Sequence, residues 1–412
     1  MIYFVLASAL IFIPTSLTFV DMSIPKLAYL SVLGVVCAWR LRETPLLLPW
    51  GTFLGAVALS GIVVPNLGSY LSRFSQDVLG AVFFWYGFQA APWTDRKVAA
   101  LAIAALAIAA VLMVWRSASD NVNIVNLGGI WALAIPLGIY GGYFGYSVFA
   151  KTACAAGVGW GIWSLFVMKR RMDLFALVLG LGVGTLMTTR RRWLLVPALT
   201  LLAAFSMVIW ERGITHSSDP RLEIWRNAAQ VILDNPFLGV GRGNLLTALY
   251  PYSTYGGSLY YGFNGQIKGI VAFLHNDYLE LWVEAGPVAL VAYLFLLGLI
   301  LRRLPKTPWE MALYASLITV VVRGLFHSVM FSPAEAAWFW IFAGIYWRLK
   351  HDENKQIDVL WLDGDVRYIQ FSPLGRRDFL HPKAARFSLP TLSLGLPLSV
   401  QCRGSPSDKQ KL

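Results

Sequence analysis

Long apolar runs follow one another along most of this chain, and they constrain its fold more than any other feature. A bilayer core about 30 Å thick is crossed by about 20 apolar residues in a helix, and soluble domains do not carry such runs in series. Of the 412 residues, 57% are hydrophobic and 14% are charged, whereas about a quarter of the residues in soluble domains are charged. The pattern therefore predicts an all-α, polytopic integral membrane protein.

Hydropathy predicts about twelve transmembrane helices. Their approximate spans are 2–20, 25–39, 45–64, 76–92, 98–115, 127–148, 152–168, 172–188, 193–210, 286–302, 308–327 and 333–348. We expect the first to be a retained helix rather than a cleaved signal, because no basic segment precedes it. A transmembrane domain is thus predicted over residues 1–348, followed by a partly disordered cytoplasmic tail over residues 349–412.

The Lys and Arg residues between the apolar runs predict the orientation. With the N-terminus inside, most of them fall on the cytoplasmic side, in accord with the positive-inside rule. Membrane orientation explains the net charge of +12, so we expect membrane lipids and no nucleic acid as partners. The one long loop, residues 211–285, then faces outward. The cluster Lys169-Arg170-Arg171 also falls outside, which indicates either a misplaced helix boundary or an anionic ligand at the outer face.

Two short helices are predicted within this loop. Pro220 suits the first position of a helix, and Asn235-Pro236 suits its end. Trp225 lies on the apolar face of this helix and is expected mainly to pack. The second helix is predicted to begin at His275, one of five histidines in the chain, and to break at Gly286-Pro287 before the tenth crossing.

Three sequence features that can mark binding sites have a structural interpretation here. The glycine-rich segment 239–243 follows a helix rather than a strand, so it indicates a tight turn rather than a nucleotide site. The three cysteines are far apart and predict neither disulfides nor a zinc site. The Asp363-Gly-Asp365 segment has no nucleotide-binding pattern around it and is interpreted as a turn.

The loop motifs together resemble the O-antigen ligase and polymerase superfamily. The resemblance covers roughly residues 115–330, with the long loop between the ninth and tenth of about twelve helices. The segments that carry it are Arg221-x-x-Ile-Trp-x-x-Ala, Asn235-Pro-x-x-Gly-Val-Gly, His275-Asn-x-Tyr-Leu-x-x-x-x-Glu-x-Gly and the Asn126 segment, with Lys169-Arg170-Arg171 where the family usually has Ser-Arg-Gly.

The resemblance implies a glycosyltransferase-type enzyme of lipopolysaccharide biosynthesis in the bacterial inner membrane, with its long loop in the periplasm. The donor would be a polysaccharide on an undecaprenyl diphosphate carrier. A ligase would transfer it to the lipid A core, and a polymerase would transfer it to a second carrier-linked glycan. The resemblance also implies inversion at the sugar carbon without a metal or another cofactor.

The chemistry of such a transfer assigns roles to the outward residues. The leaving diphosphate gains negative charge, and guanidinium groups bind phosphate in a bidentate fork. We expect Arg221 to be catalytic and Arg323 to bind the diphosphate. Arg116 and either Arg170 or Arg171 are further expected diphosphate ligands.

The acceptor hydroxyl also needs a base. His275 suits that role, since the ordinary pKa of histidine is near 6.5. His327 is the alternative base, and Asn276, Trp225 and Asn126 are expected to support the site.

Several alternatives stay open. Glu280 and Glu284 are expected to be solvated or ion-paired rather than catalytic. The twelve-helix layout and single dominant loop favour a ligase over a polymerase. A lipid or polysaccharide transporter and a membrane scaffold are the more distant alternatives. A transporter would carry ionisable residues in the middle of the membrane, and few are found there.

Overall fold

The computed structural model describes residues 18–19, 22–23, 45–89, 95–118, 124–144, 147–167, 171–188, 220–249, 274–329 and 333–362. Within these ranges the chain is helical apart from one short antiparallel strand pair. The strands are β1 (Thr18–Phe19) and β2 (Met22–Ser23). The helices are α1 (Leu47–Leu59, with a 3-10 turn Ser60–Val63), α2 (Leu67–Gln89), α3 (Asp95–Ala118), α4 (Ile124–Phe144), α5 (Val148–Val167), α6 (Arg171–Thr188), α7 (Pro220–Asp234), α8 (Leu245–Leu249), α9 (Asp277–Leu301), α10 (Pro308–Arg323) and α11 (Pro333–Leu362).

The all-helical prediction is confirmed for the described part of the chain. The predicted second and ninth crossings lie outside the described residues, as does the first except for Thr18–Phe19. Among the described residues one helix, Asp277–Leu301, is long and apolar enough to cross a membrane, with a mean hydropathy of 2.1. Shorter apolar stretches occupy Leu47–Val63, Lys97–Val111 and Met172–Gly184. The count of twelve crossings and the outward loop thus stay predictions.

The chain divides into two compact units, Met1–Leu360 and Trp361–Leu412. The described helices fall within the first unit apart from the last two residues of α11, which extends beyond the predicted end of the twelfth crossing at residue 348. The rest of the predicted cytoplasmic tail, residues 363–412, lies outside the described residues.

Local hydrogen bonding explains where several helices begin. α10 starts with a capping box, in which Thr307 Oγ1 accepts from Glu310 N and the Glu310 carboxylate accepts from Thr307 N. α2 begins at Leu67, well before the predicted start at residue 76, because Asn66 Oδ1 accepts from Ser69 N and caps the first turn. Arg73 and Asp77 therefore lie inside this helix.

The main core is built around α10, which packs against α6 and α4. Small residues allow α6 and α10 to pack closely. A Cβ added at Gly184 would lie 2.9 Å from Ala315 Cβ, and one added at Gly180 would clash with Thr319. Ser316 Oγ also donates to Leu133 O of α4 at 2.8 Å. The close packing fixes the end of α10 relative to the start of α6.

A second, smaller core lies under the loop helices. Ile224, Ala228 and Val231 of α7 pack with Leu274 and Val283, together with the buried leucines of α8. α7 begins at Pro220 and ends just before Asn235, so both predicted boundaries are confirmed. The α8 helix was not predicted. The described part of the loop is thus packed on the first turns of α9.

Candidate active site

The start of α9 carries an unusual backbone at His275. The helix begins at Asp277 with Asn276 as its N-cap, whose side chain accepts from Tyr278 N and Leu279 N. The prediction that the helix starts at His275 is wrong, because this residue precedes the cap and has a left-handed φ of 54°. A histidine in this region is uncommon, and such conformations persist where the surroundings fix them, often at functional sites.

The turn around His275 is anchored to the end of α10. Asp277 N donates to Gly324 O at 2.8 Å, and Tyr278 Oη donates to Val321 O at 2.6 Å. These bonds bring the segment after α10 beside the start of α9. The His275 and His327 rings consequently meet edge to face, with centroids 6.5 Å apart. The two histidines proposed from sequence are therefore neighbours.

His327 in turn faces a buried carboxylate. Its Nε2 lies 3.5 Å from Asp173 Oδ1, and Asp173 is in the first turn of α6. His327 is 5% exposed and Asp173 is fully buried. Asp173 therefore places negative charge beside the His327 ring and close to His275.

The Arg323 side chain is the centre of this cluster. It is fully buried at the end of α10 and donates from Nε to Asp173 and from Nη1 to Glu335. Gly129 of α4 faces the same guanidinium and carboxylate, and a Cβ there would lie 2.6 Å from Arg323 Nη1. An arginine inside an apolar run is costly without a partner, and Arg323 has two. Four helices, α4, α6, α10 and α11, converge on this ion cluster.

The remaining predicted site residues can be placed only by backbone, or not at all. Arg116, Asn126, Arg171 and Arg221 lie in α3, α4, α6 and α7 respectively, with side chains outside the described part. Arg170 lies outside the described residues. Arg171 begins the helix that carries Asp173, and Asn126 lies in the turn of α4 before Gly129. Both are therefore near the ion cluster along the chain.

Trp225 and the two glutamates have structural partners. Trp225 Nε1 donates to Leu274 O at 2.7 Å, while its ring packs on the small core. Glu284 is paired with Arg242 at 2.7 Å, as the ion-pair interpretation expects. The alternative that these glutamates are solvated is wrong, because both are buried.

The glycine-rich segment is a turn that buries Arg242. Gly239, Gly241 and Gly243 all have positive φ, at 67°, 88° and 78°. A Cβ at Gly239 would lie 2.5 Å from Val283 O, and one at Gly243 would lie 2.5 Å from Ser69 O. Glycine is required by both the conformation and the space. The turn therefore packs tightly between α2 and α9, as a structural element rather than a nucleotide site.

Arg242 forms the second buried ion cluster. It donates from Nε and Nη2 to Asp77 at 2.8 and 2.9 Å, a bidentate pair, and from Nη1 to Glu284. Burial disfavours the charged guanidinium, but the charges of Asp77 and Glu284 outweigh it, so the pKa of Arg242 is raised above its ordinary value. Arg242 thus stays charged at any physiological pH and ties the loop to α2 and α9.

A small cavity adjoins this cluster. It holds about 20 Å³, enough for about one water molecule. Its lining combines the Asp77–Arg242 pair with Asp277 and the aromatic side chains of Trp50, Phe53, Tyr293 and Trp340. Among the described residues, no group of three or more His, Cys, Asp or Glu side chains is arranged to hold a metal ion.

Sequence reasoning missed the partners of both buried arginines. Asp173 and Glu335 each lie near the start of an apolar helix, Asp77 lies within α2, and Arg242 lies between the glycines of a compact turn. An ionisable residue beside an apolar run usually has a partner, so these positions were a usable signal. Which acid meets which arginine depends on the tertiary fold.

A comparison with known families covers part of this region. The O-antigen ligase family model matches residues 156–294, which include Asp173, Arg221, Arg242 and His275. The resemblance to an O-antigen ligase-like family is thereby confirmed, and the match supports a membrane protein with an O-antigen ligase or polymerase type of function. No curated protein shows significant similarity to the chain.

Proposed function

We propose that this chain, whose residues 156–294 match the O-antigen ligase family, is an O-antigen ligase. In this proposal it transfers a glycan from an undecaprenyl diphosphate carrier to the lipid A core at the periplasmic face of the bacterial inner membrane. The observation that carries the proposal is His275, held in a left-handed conformation beside His327 and the buried Asp173. A histidine on a well-held backbone beside a buried carboxylate suits the activation of an acceptor hydroxyl.

The reaction is a single displacement at the sugar carbon. The acceptor hydroxyl oxygen forms a bond to that carbon, and the bond to the carrier diphosphate breaks with its electron pair leaving on the diphosphate. His275 takes the proton from the hydroxyl. With His327 neutral, the buried Asp173 carboxylate beside it offsets the positive charge of the imidazolium that forms on His275. Attack opposite the leaving group inverts the configuration, and no metal takes part in these steps.

The leaving diphosphate needs positive charge in a site of low dielectric constant. We assign this role to Arg221, Arg116 and either Arg170 or Arg171. Arg221 lies at the start of α7, whose Trp225 is bonded to the residue before His275. Arg171 lies at the start of α6, two residues before Asp173. These links along the chain support the assignment of both arginines.

Arg323 has a different role in this proposal. Its guanidinium is fully buried and bonded to two carboxylates, so it has little capacity left for a substrate phosphate. We assign it to hold Asp173 in position for His327. This assignment replaces direct diphosphate binding, which the sequence suggested.

Complementation of a deletion strain tests the proposal. In the uncomplemented deletion strain, gel analysis of surface polysaccharide should show no core-attached chains, while the carrier-linked polymer is retained. Core bearing a single repeat would instead identify a polymerase. Wild-type protein should restore the chains, whereas His275→Ala and Arg221→Ala should not, because loss of a general base costs about 10²–10⁴ in rate.

A matched control separates catalysis from folding. Arg226 is an exposed arginine on the same helix as Arg221, and Arg226→Ala should restore the chains fully. Membrane levels of all three variants are measured by immunoblot. If His275→Ala and Arg221→Ala insert normally and restore full activity, the proposal is wrong.

A further inference from the structure

One carboxylate oxygen joins the two turns that carry the site histidines. Glu280 is fully buried in the first turn of α9. Its Oε2 accepts from Leu274 N at 3.1 Å and from Ser328 Oγ at 2.7 Å. Leu274 precedes His275 and Ser328 follows His327. A single oxygen therefore links the segments on both sides of the histidine pair.

The residue before His275 is held from two directions. Leu274 is fully buried; its N–H donates to Glu280, and its C=O accepts from Trp225 Nε1 at 2.7 Å. On the other side of His275, Asp277 N donates to Gly324 O. These bonds leave the His275 backbone little freedom. They explain how a left-handed histidine, which costs about 1–3 kcal/mol, is maintained.

The carboxylate makes these bonds with only one of its oxygens. Within the described part of the chain, Glu280 Oε1 is buried and has no hydrogen-bond partner. Asp277 and Glu284 on the same helix are also acidic and buried. Burial and the neighbouring Glu284 disfavour a negative charge on this carboxyl group. Glutamine could accept the same two bonds without that charge.

We propose that Glu280 is a positioning residue for the transfer reaction, and that it sets the orientation of His275 against His327. The inference rests on the proposed function of the His275 site. Glu280 acts through the backbone at Leu274 and the hydroxyl of Ser328 and does not touch the substrates. Its removal should therefore lower turnover while leaving the affinity for the carrier-linked donor unchanged.

Turnover of the purified protein in lipid vesicles tests this role with a graded set of variants. Glu280→Leu removes both bonds and should lower kcat about 100-fold at an unchanged donor KM, because a displacement of about 1 Å in a catalytic group costs that much. Glu280→Gln keeps an oxygen acceptor and should recover most of the turnover. Ser328→Ala should give an intermediate loss and add nothing to Glu280→Leu, since both act through one link.

A control of matched instability excludes a general folding effect. Leu296 is fully buried further along α9, and Leu296→Ala should lower the thermal midpoint without changing kcat per folded molecule. Carbethoxylation of His275 by diethyl pyrocarbonate, followed by mass spectrometry, gives a readout independent of activity. The rate of His275 carbethoxylation in Glu280→Leu should differ from the wild-type rate, whereas in Leu296→Ala it should equal the wild-type rate.

Two results would overturn the inference in distinguishable ways. If Glu280→Leu matches Leu296→Ala in kcat and in His275 modification, Glu280 has no positioning role, and the proposed function stands. If His275→Ala turns over at the wild-type rate in the same assay, the proposed function is wrong and the inference falls with it.

Discussion

At the scale of single residues, two buried arginines organise the molecule. Arg242 joins Asp77 and Glu284, and Arg323 joins Asp173 and Glu335. Each arginine is therefore paired with two carboxylates in the protein interior. Because a buried charge that loses its partner is costly, these arginines should dominate the stability of the regions that they connect.

Replacing Arg242 should destabilise the folded protein. Arg242→Leu leaves Asp77 and Glu284 uncompensated and should lower the free energy of unfolding by about 3–5 kcal/mol. Arg242→Lys should recover only part of this loss, because an ammonium cannot reproduce the bidentate bond to Asp77. Chemical denaturation in detergent micelles measures both.

A triple variant serves as the control for that prediction. Replacing Arg242, Asp77 and Glu284 together by leucine removes the charges along with their partners, and stability should return close to the wild-type value. An Arg242→Leu protein as stable as the wild type would show that the cluster contributes nothing.

Sequence alone reaches some of these residues and not others. His275, Arg323 and His327 could be singled out, because a polar group beside an apolar run is rare and the family motif marks one of them. Their partners could not be paired, because the Arg323–Asp173 bond spans 150 positions and the Arg242–Asp77 bond spans 165. Residues so far apart in the chain are brought together by helix packing, which local sequence patterns do not reveal.

At the scale of elements, caps and breaks set the boundaries. Pro220, Asn235 and the Thr307 capping box are local signals, so the boundaries of α7 and the start of α10 can be recognised from sequence. The start of α9 could not be, because the His275 conformation depends on bonds to distant residues. The short α8 was missed because five residues are too few for a helical pattern to show.

The kink in α9 depends on Gly286. Gly286 has a φ of 80°, and its Cα faces the carbonyl of Phe237 so closely that a Cβ would clash. Gly286→Ala should therefore destabilise the protein by at least about 1–3 kcal/mol. It should also loosen the loop from the helix, since Phe237 follows α7.

Gly298 on the same helix is the matched control. A Cβ there would meet nothing within 4 Å, so Gly298→Ala should leave stability unchanged or raise it by up to about 1 kcal/mol. Thermal unfolding in detergent compares the two variants. Equal midpoints for Gly286→Ala and Gly298→Ala would contradict the role given to the kink.

At the scale of the whole molecule, the buried charges gather in two ion clusters. These clusters draw on Asp77 within α2, Glu284 of α9, the starts of α6 and α11 and the end of α10. Arginines that the proposal places at the cytoplasmic surface lie against aromatic rings instead. Arg303 lies 3.9 Å from the centre of the Trp347 ring, and Arg348 lies 5.1 Å from that of Phe88.

The topology itself can be checked with reporter fusions. A fusion after residue 240 should place alkaline phosphatase in the periplasm and give high activity, because the loop is proposed to face outward. A fusion after residue 305, in the turn between α9 and α10, should be inactive. High activity at residue 305 with none at residue 240 would place the His275 site in the cytoplasm and exclude the periplasmic reaction.

The most direct measurement is glycan transfer by the purified protein in vesicles that contain only an undecaprenyl-diphosphate-linked glycan and a lipid A core acceptor. The wild type should produce core-linked glycan with inverted configuration at the sugar carbon. His275→Ala, folded to the same extent, should be slower by about 10²-fold or more. Transfer by His275→Ala at the wild-type rate would contradict the assignment of the site.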